Sequence, residues 1–168
     1  MAEPIINRVK ANTKLVTIDL ADFAPTDDIV SLDIKSFLHM GLLLKEQDFR
    51  NDLANYDWEQ YQGKVLCVFC STEAIIAPWA WMLITTFASE HAKDVMHLEP
   101  DTARHQLFER ALNDHNWSLY EGKFVLLKGC GDVHVPDSVY VLATNKLLQV
   151  ARKIMYGEAC SFVPVYKG

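Results

Sequence analysis

Three cysteines and one histidine carry most of the chemistry open to this chain. Cys70 ends the apolar run Val65-Leu66-Cys67-Val68-Phe69-Cys70, and Cys130 follows the second such run, Lys123 to Gly129. Each stands where a strand should turn toward a helix, and amide donors and the helix dipole at such a turn stabilise a thiolate or a bound anion. His134 follows Cys130 in a short loop, where an imidazole can complete a ligand set or accept a proton from a thiol. Cys160 lies in Tyr156-Gly157-Glu158-Ala159-Cys160-Ser161. Thiolates with one imidazole suit zinc, and three thiolates suit an iron-sulfur cluster with one open position. Lys128 and Glu158 are the charged residues expected to line a pocket beside these groups. The bland reading of the same cysteines is small apolar residues at strand ends.

Spacing restricts the choice. Cys67 and Cys70 look like a redox or zinc pair, but residues three apart on a strand face opposite ways, so Cys67 should be buried in the sheet while Cys70 reaches the strand end. Cys160 raises a different difficulty. A single helix over Asp137 to Met155 would run about 28 Å at ~1.5 Å per residue, carrying Cys160 to the far edge of the sheet from Cys130. His39, His91, His97, His105 and His115 have no metal-ligand spacing. The chain has no phosphate-binding glycine loop, dinucleotide fingerprint or Gly-x-Ser-x-Gly elbow, which removes the common nucleotide and hydrolase chemistries.

The elements that must position these residues alternate. Strands are expected over Lys14 to Leu20, Val65 to Cys70, Asp94 to Leu98, Lys123 to Gly129 and, at a sheet edge because of Pro164, Ser161 to Tyr166. Helices are expected over Glu46 to Tyr56, Ala74 to His91 behind a Ser71-Thr72-Glu73 cap, Thr102 to Asp114 and Asp137 to Met155. The segment Ser31 to Leu44 fits either a strand or a short helix. Phe49, Leu53, Trp58, Tyr61, Gly63 and Lys64 recur at a constant offset as Phe108, Leu112, Trp117, Tyr120, Gly122 and Lys123. This pattern reads as a duplicated helix-strand-helix unit, 46–88 and 105–147, within one domain of 168 residues. The Trp/Tyr pairs should plug the sheet. The expected architecture is α/β, a three-layer sandwich with a mostly parallel or mixed sheet.

Composition sets the remaining bounds. Half of the residues are hydrophobic, 23% are charged and the net charge is −6. That is a globular composition with no basic cluster for nucleic acid. The residues Met1 to Arg8 lack the basic and then apolar regions expected of a signal peptide, and the run from Ala74 to Phe87 is shorter than the ~20 residues needed to cross a bilayer. A cytoplasmic protein with reduced cysteines is expected.

The chain also resembles a bacterial family, typical of the Bacteroidetes, named as the domain of unknown function numbered 2480. The likeness rests on Glu3-Pro4-Ile5-Ile6-Asn7-Arg8-Val9, Leu44-Lys45-Glu46-x-Asp48-Phe49-Arg50, Trp58-x-x-Tyr61-x-Gly63-Lys64, Lys128-Gly129-Cys130 and Met155-Tyr156-Gly157-Glu158-x-Cys160-Ser161-x-Val163-Pro164-x-Tyr166-Lys167. It spans essentially the whole chain. It implies that the cysteines at 70, 130 and 160 are typical of the family and the one at 67 is not. It also implies a neighbourhood of iron-sulfur assembly genes, which tilts the reading toward metal or cluster handling.

The leading functional expectation is a small, non-catalytic metal-binding protein, holding zinc or serving iron-sulfur metabolism through Cys70, Cys130, Cys160 and His134. A thiol enzyme with Cys130 as nucleophile and His134 as base is the first alternative. An interaction module with structural cysteines is the second. A protein partner or a homodimer fits the first reading; nucleic acid and membrane do not.

Overall fold

The computed structural model describes residues 14–129 and 133–168, so the expectations placed on Cys130 lie outside the described residues. The strands are β1 (Leu15–Asp19), β2 (Ile29–Asp33), β3 (Val65–Phe69), β4 (Asp94–Met96), β5 (Phe124–Lys128), β6 (Lys153–Glu158) and β7 (Ser161–Lys167). The α-helices are α1 (Glu46–Ala54), α2 (Pro78–Ala88), α3 (Pro100–Asp114) and α4 (Asp137–Leu147). The fold is α/β with parallel and mixed sheets, and the strands sort into two sheets where the sequence reads as one. They belong to two compact units. Thr26–Gln106 forms an inserted unit, and the segment ending at Pro25 joins Leu107–Gly168 in a flanking unit.

The inserted unit is a parallel sheet of order β2-β3-β4. Phe49 and Leu53 of α1 and Ala80, Ile84 and Ala88 of α2 share one core with Leu32, Leu66 and Val68 of the strands. Val65 and Cys67 alternate with these on β3 and are buried as well, which is why the strand reads as a continuous apolar run. The flanking unit has order β1-β5-β6-β7, parallel except for β7, which returns antiparallel to β6. Phe108 and Leu112 of α3 and Val139, Ala143 and Leu147 of α4 pack with Ile18, Val125, Leu127 and Ile154. The expected edge strand is present, with Pro164 opposite Met155 beside a register shift.

The Trp/Tyr pairs build these cores through the same local bonds. Trp58 donates its indole N–H to the Leu53 carbonyl at 2.8 Å, and Trp117 donates to the Leu112 carbonyl at 2.7 Å. The amide of Lys64 bonds the Tyr61 carbonyl and that of Lys123 the Tyr120 carbonyl, both at 3.0 Å. The turn between them demands φ values of 72° at Gly63 and 65° at Gly122, a region that side chains with a Cβ avoid.

Two helix boundaries differ from the expectation by more than three residues, each for a physical reason. Helix α2 begins at Pro78, not Ala74. Inside a longer helix that proline would lack its N–H and strike the carbonyl four residues back, so the first turn is where it fits. The Ser71-Thr72-Glu73 segment is therefore irregular chain and caps no helix. The expected helix from Asp137 to Met155 divides into α4 and β6. Its apolar period continues to Ile154, but the amides of Arg152 and Lys153 bond the Lys123 carbonyl at 2.9 and 3.3 Å and start a strand alongside β5. Tertiary pairing overrides local period here.

Candidate functional site

In each unit the carboxyl ends of the parallel strands gather polar groups, the edge where open α/β sheets receive ligands. In the inserted unit β2 ends on Asp33. Its Oδ1 accepts from the Lys35 amide at 3.0 Å and from the Ser71 amide at 3.1 Å, which holds the chain just beyond Cys70. Burial alone would raise the pKa of this carboxyl. The hydrogen bonds from Ser71 and the Lys35 amide, helped by the Lys35 charge, outweigh burial and hold it below the ordinary value. A carboxylate with a depressed pKa contributes stability above its unfolded value of about 3.9 and loses it as pH falls through the folded value. Asp33→Asn is therefore expected to cost about 0.5–1 kcal/mol at neutral pH, a deficit that shrinks below about pH 4. Urea titrations across that range measure it; a deficit independent of pH would contradict the ionic role.

Cys70 is the first residue past β3. It is half-buried, with its Sγ 3.3 Å from the Thr72 hydroxyl oxygen. Cys67 is fully buried, and burial, aided by the charge of Asp94, pushes its thiol pKa up, so it is neither a nucleophile nor a ready ligand. His97 follows β4 and donates its Nδ1–H to the Val68 carbonyl at 2.9 Å. Its ring stacks on Trp81 with centroids 4.1 Å apart. That bond fixes the tautomer and leaves Nε2 as the acceptor of the neutral ring.

In the flanking unit β1 ends on Asp19, β5 on Lys128 and β6 on Glu158. The Lys128 ammonium lies 3.2 Å from Asp19 Oδ2 and 3.3 Å from Glu158 Oε1, while Asp19 Oδ1 also accepts from the Ala21 amide at 3.1 Å. The hydrogen bonds that Lys128 donates, to Asp19 first and Glu158 second, raise its pKa. This lysine is a fixed cation tying three strand ends together, and the two carboxylates answer its charge. Cys160 lies exposed in the turn between β6 and β7, and His134 is exposed ahead of α4. Beside this edge a cleft of ≈ 270 Å³ runs between α4 and the sheet, with Tyr140, Tyr156 and Asp137 among its walls.

The division of α4 from β6 removes the difficulty raised by Cys160. Because β6 runs parallel to β5, with Leu127 opposite Tyr156, the chain returns to the edge where β5 ends. Of the expected residues, Lys128 and Glu158 are bonded directly, and Cys160 and His134 belong to the same unit as they do, whereas Cys70 belongs to the inserted unit. The strand ends also shift one equivalence. Asp33 pairs with Phe69 and Asp19 with Lys128, so Cys70 corresponds to Gly129, and Cys130 comes one position later, matching Ser71. Among the described residues no three His, Cys, Asp or Glu side chains converge to hold a metal ion.

Sequence reading missed Asp19, Asp33 and His97. A signal for the aspartates was present: Leu15-Val16-Thr17-Ile18-Asp19 and Ile29-Val30-Ser31-Leu32-Asp33 share one pattern, each ending in the residue that caps the following turn. His97 had none, because its partner is a backbone carbonyl.

Fold and edges together define a two-unit α/β protein with thiols, carboxylates and imidazoles at or near the carboxyl ends of parallel strands. No helix among the described residues is long and apolar enough to cross a membrane. The chain belongs to the family described as Protein of unknown function (DUF2480), whose model matches residues 3–168. No curated protein and no solved structure was found to match it.

Proposed function

We propose that this chain is a non-catalytic cytoplasmic protein that binds a thiophilic metal, zinc or the iron of an iron-sulfur cluster, through Cys160, Cys130 and His134 in the flanking unit. One observation carries the reading: β6 brings the turn bearing Cys160 to the carboxyl edge of the sheet, where Lys128 of β5 is bonded to Glu158. The ligands named are a soft donor set, and three protein ligands leave a fourth position for a partner's group or for water. Exposure of Cys160 and His134 suits exchange of metal with a protein partner. Cys70 is not required and serves as the control.

Metal content of protein loaded with zinc under reducing conditions tests this. Near-stoichiometric zinc is expected in the natural chain and in Cys70→Ser, with at least about a tenfold loss of affinity in Cys130→Ser and Cys160→Ser. Equal retention in all three variants, or none in the natural chain with either zinc or ferrous iron, would sink the proposal.

A further inference from the structure

We infer that the flanking unit holds a binding site for a medium-chain fatty acid or a carboxylate of similar form, on the face of its sheet opposite α3 and α4. The inference does not rest on the metal reading. Strand alternation divides the sheet: Val125, Leu127 and Ile154 face the helices, and Phe124, Leu126 and Met155 face the other way. That second face opens into a pocket of ≈ 450 Å³. The volume falls within the range of small-molecule sites. Leu126 and Met155, almost wholly buried, form its floor beside Phe124.

Its charged lining is what names the ligand. Arg152, Lys153 and Lys167 line the pocket, and none forms an ion pair with a described carboxylate. Lys153 and Lys167 face each other across the antiparallel pair of β6 and β7. Like charges directly opposed on neighbouring strands repel and weaken the pairing. The Lys153 ammonium lies over the face of Phe162, with its Nζ 5.2 Å from the ring centroid. The chain carries a net charge of −6, so three cations around one pocket, without an ion-pair partner among the described residues, are not a sampling of its average surface. An anion between the two lysines relieves their repulsion, and the guanidinium of Arg152 can grip a carboxylate with two parallel hydrogen bonds. The apolar floor asks that the anion carry a hydrocarbon body. Inorganic phosphate satisfies the rim alone, and a fatty alcohol the floor alone.

Calorimetric titration of the full chain with decanoate, decanol and inorganic phosphate separates these cases. Saturable binding of decanoate is expected, about tenfold or more tighter than decanol or phosphate, and weakening as salt is raised. The double variant Lys153→Gln with Lys167→Gln should lose about tenfold in decanoate affinity and keep its affinity for decanol. Both lysines are at the rim, so this variant is expected to fold, which circular dichroism checks. Non-saturable uptake of decanoate, affinity equal to that for decanol, or unchanged affinity in the folded double variant would overturn the assignment.

Discussion

Phe108→Ala is expected to lower the unfolding free energy by about 3–5 kcal/mol, a loss large enough to leave a protein of ordinary stability only marginally folded. The ring is fully buried on α3 and belongs to the core formed by Leu112, Trp117, Leu147 and Ile154. Those neighbours come from a strand, two helices and the turn ahead of β5, all held by backbone bonds. They cannot collapse into the vacated space, and the cost should sit near the upper end of the range for large-to-small changes. Phe108→Leu keeps most of the volume and should cost less than about 1.5 kcal/mol. Urea unfolding followed by tryptophan fluorescence measures both. A loss under about 1 kcal/mol for the alanine variant would mean that the ring does not carry the core.

Gly157→Ala is the second large effect, and it links stability to the proposed metal site. Gly157 has φ of 115°, a conformation that L side chains rarely adopt, and an added Cβ would stand 2.7 Å from the carbonyl oxygen of Ser161. Strain of this kind costs about 1–3 kcal/mol, and the clash adds to it because the opposing atom is backbone and cannot rotate away. Gly157 pairs with Phe162, so relief must come from shifting β6 against β7 in the turn that carries Cys160. Zinc retention should therefore fall in this variant together with thermal stability. Gly63→Ala offers the comparison: its φ is 72°, and nothing lies within 4 Å of the added Cβ. It should cost about 1–2 kcal/mol and leave zinc binding unchanged. Equal effects of the two substitutions would show that the hairpin turn has no special hold on the site.

Most of the fold was open to sequence reading because period and punctuation agreed with tertiary demand. The runs at Leu15, Val65 and Phe124 are strands since each is apolar, short and bounded by a turn. Trp58, Tyr61 and Trp117 are core, as large aromatics ahead of a buried strand should be. Legibility failed where two signals competed. Residues after Leu147 keep a helical spacing of apolar side chains, but their amides find better partners on β5. The offset that carries Phe49 to Phe108 also carries Asp94, the first residue of β4, to Lys153, the first of β6. Extending that offset past residue 147 would have found that strand. The site was less legible than the fold. Lys128 and Glu158 were identifiable as charged residues near the thiols, but the bonds of Lys128 to Asp19 and Glu158 join residues far apart in sequence, and no local pattern reports such a meeting.

The order in which the chain is made gives the strand pairing a consequence in time. β1 leaves the ribosome ahead of its partner β5, which lies about a hundred residues further on, and at ~5–20 residues per second it waits roughly 5–20 s. During that interval β2, β3 and β4 are all completed, each with its neighbour already in hand. The nascent chain thus carries a finished module behind β1, an apolar strand still without its partner β5, and slow stretches of translation before residue 124 would lengthen the period in which that strand can find the wrong partner.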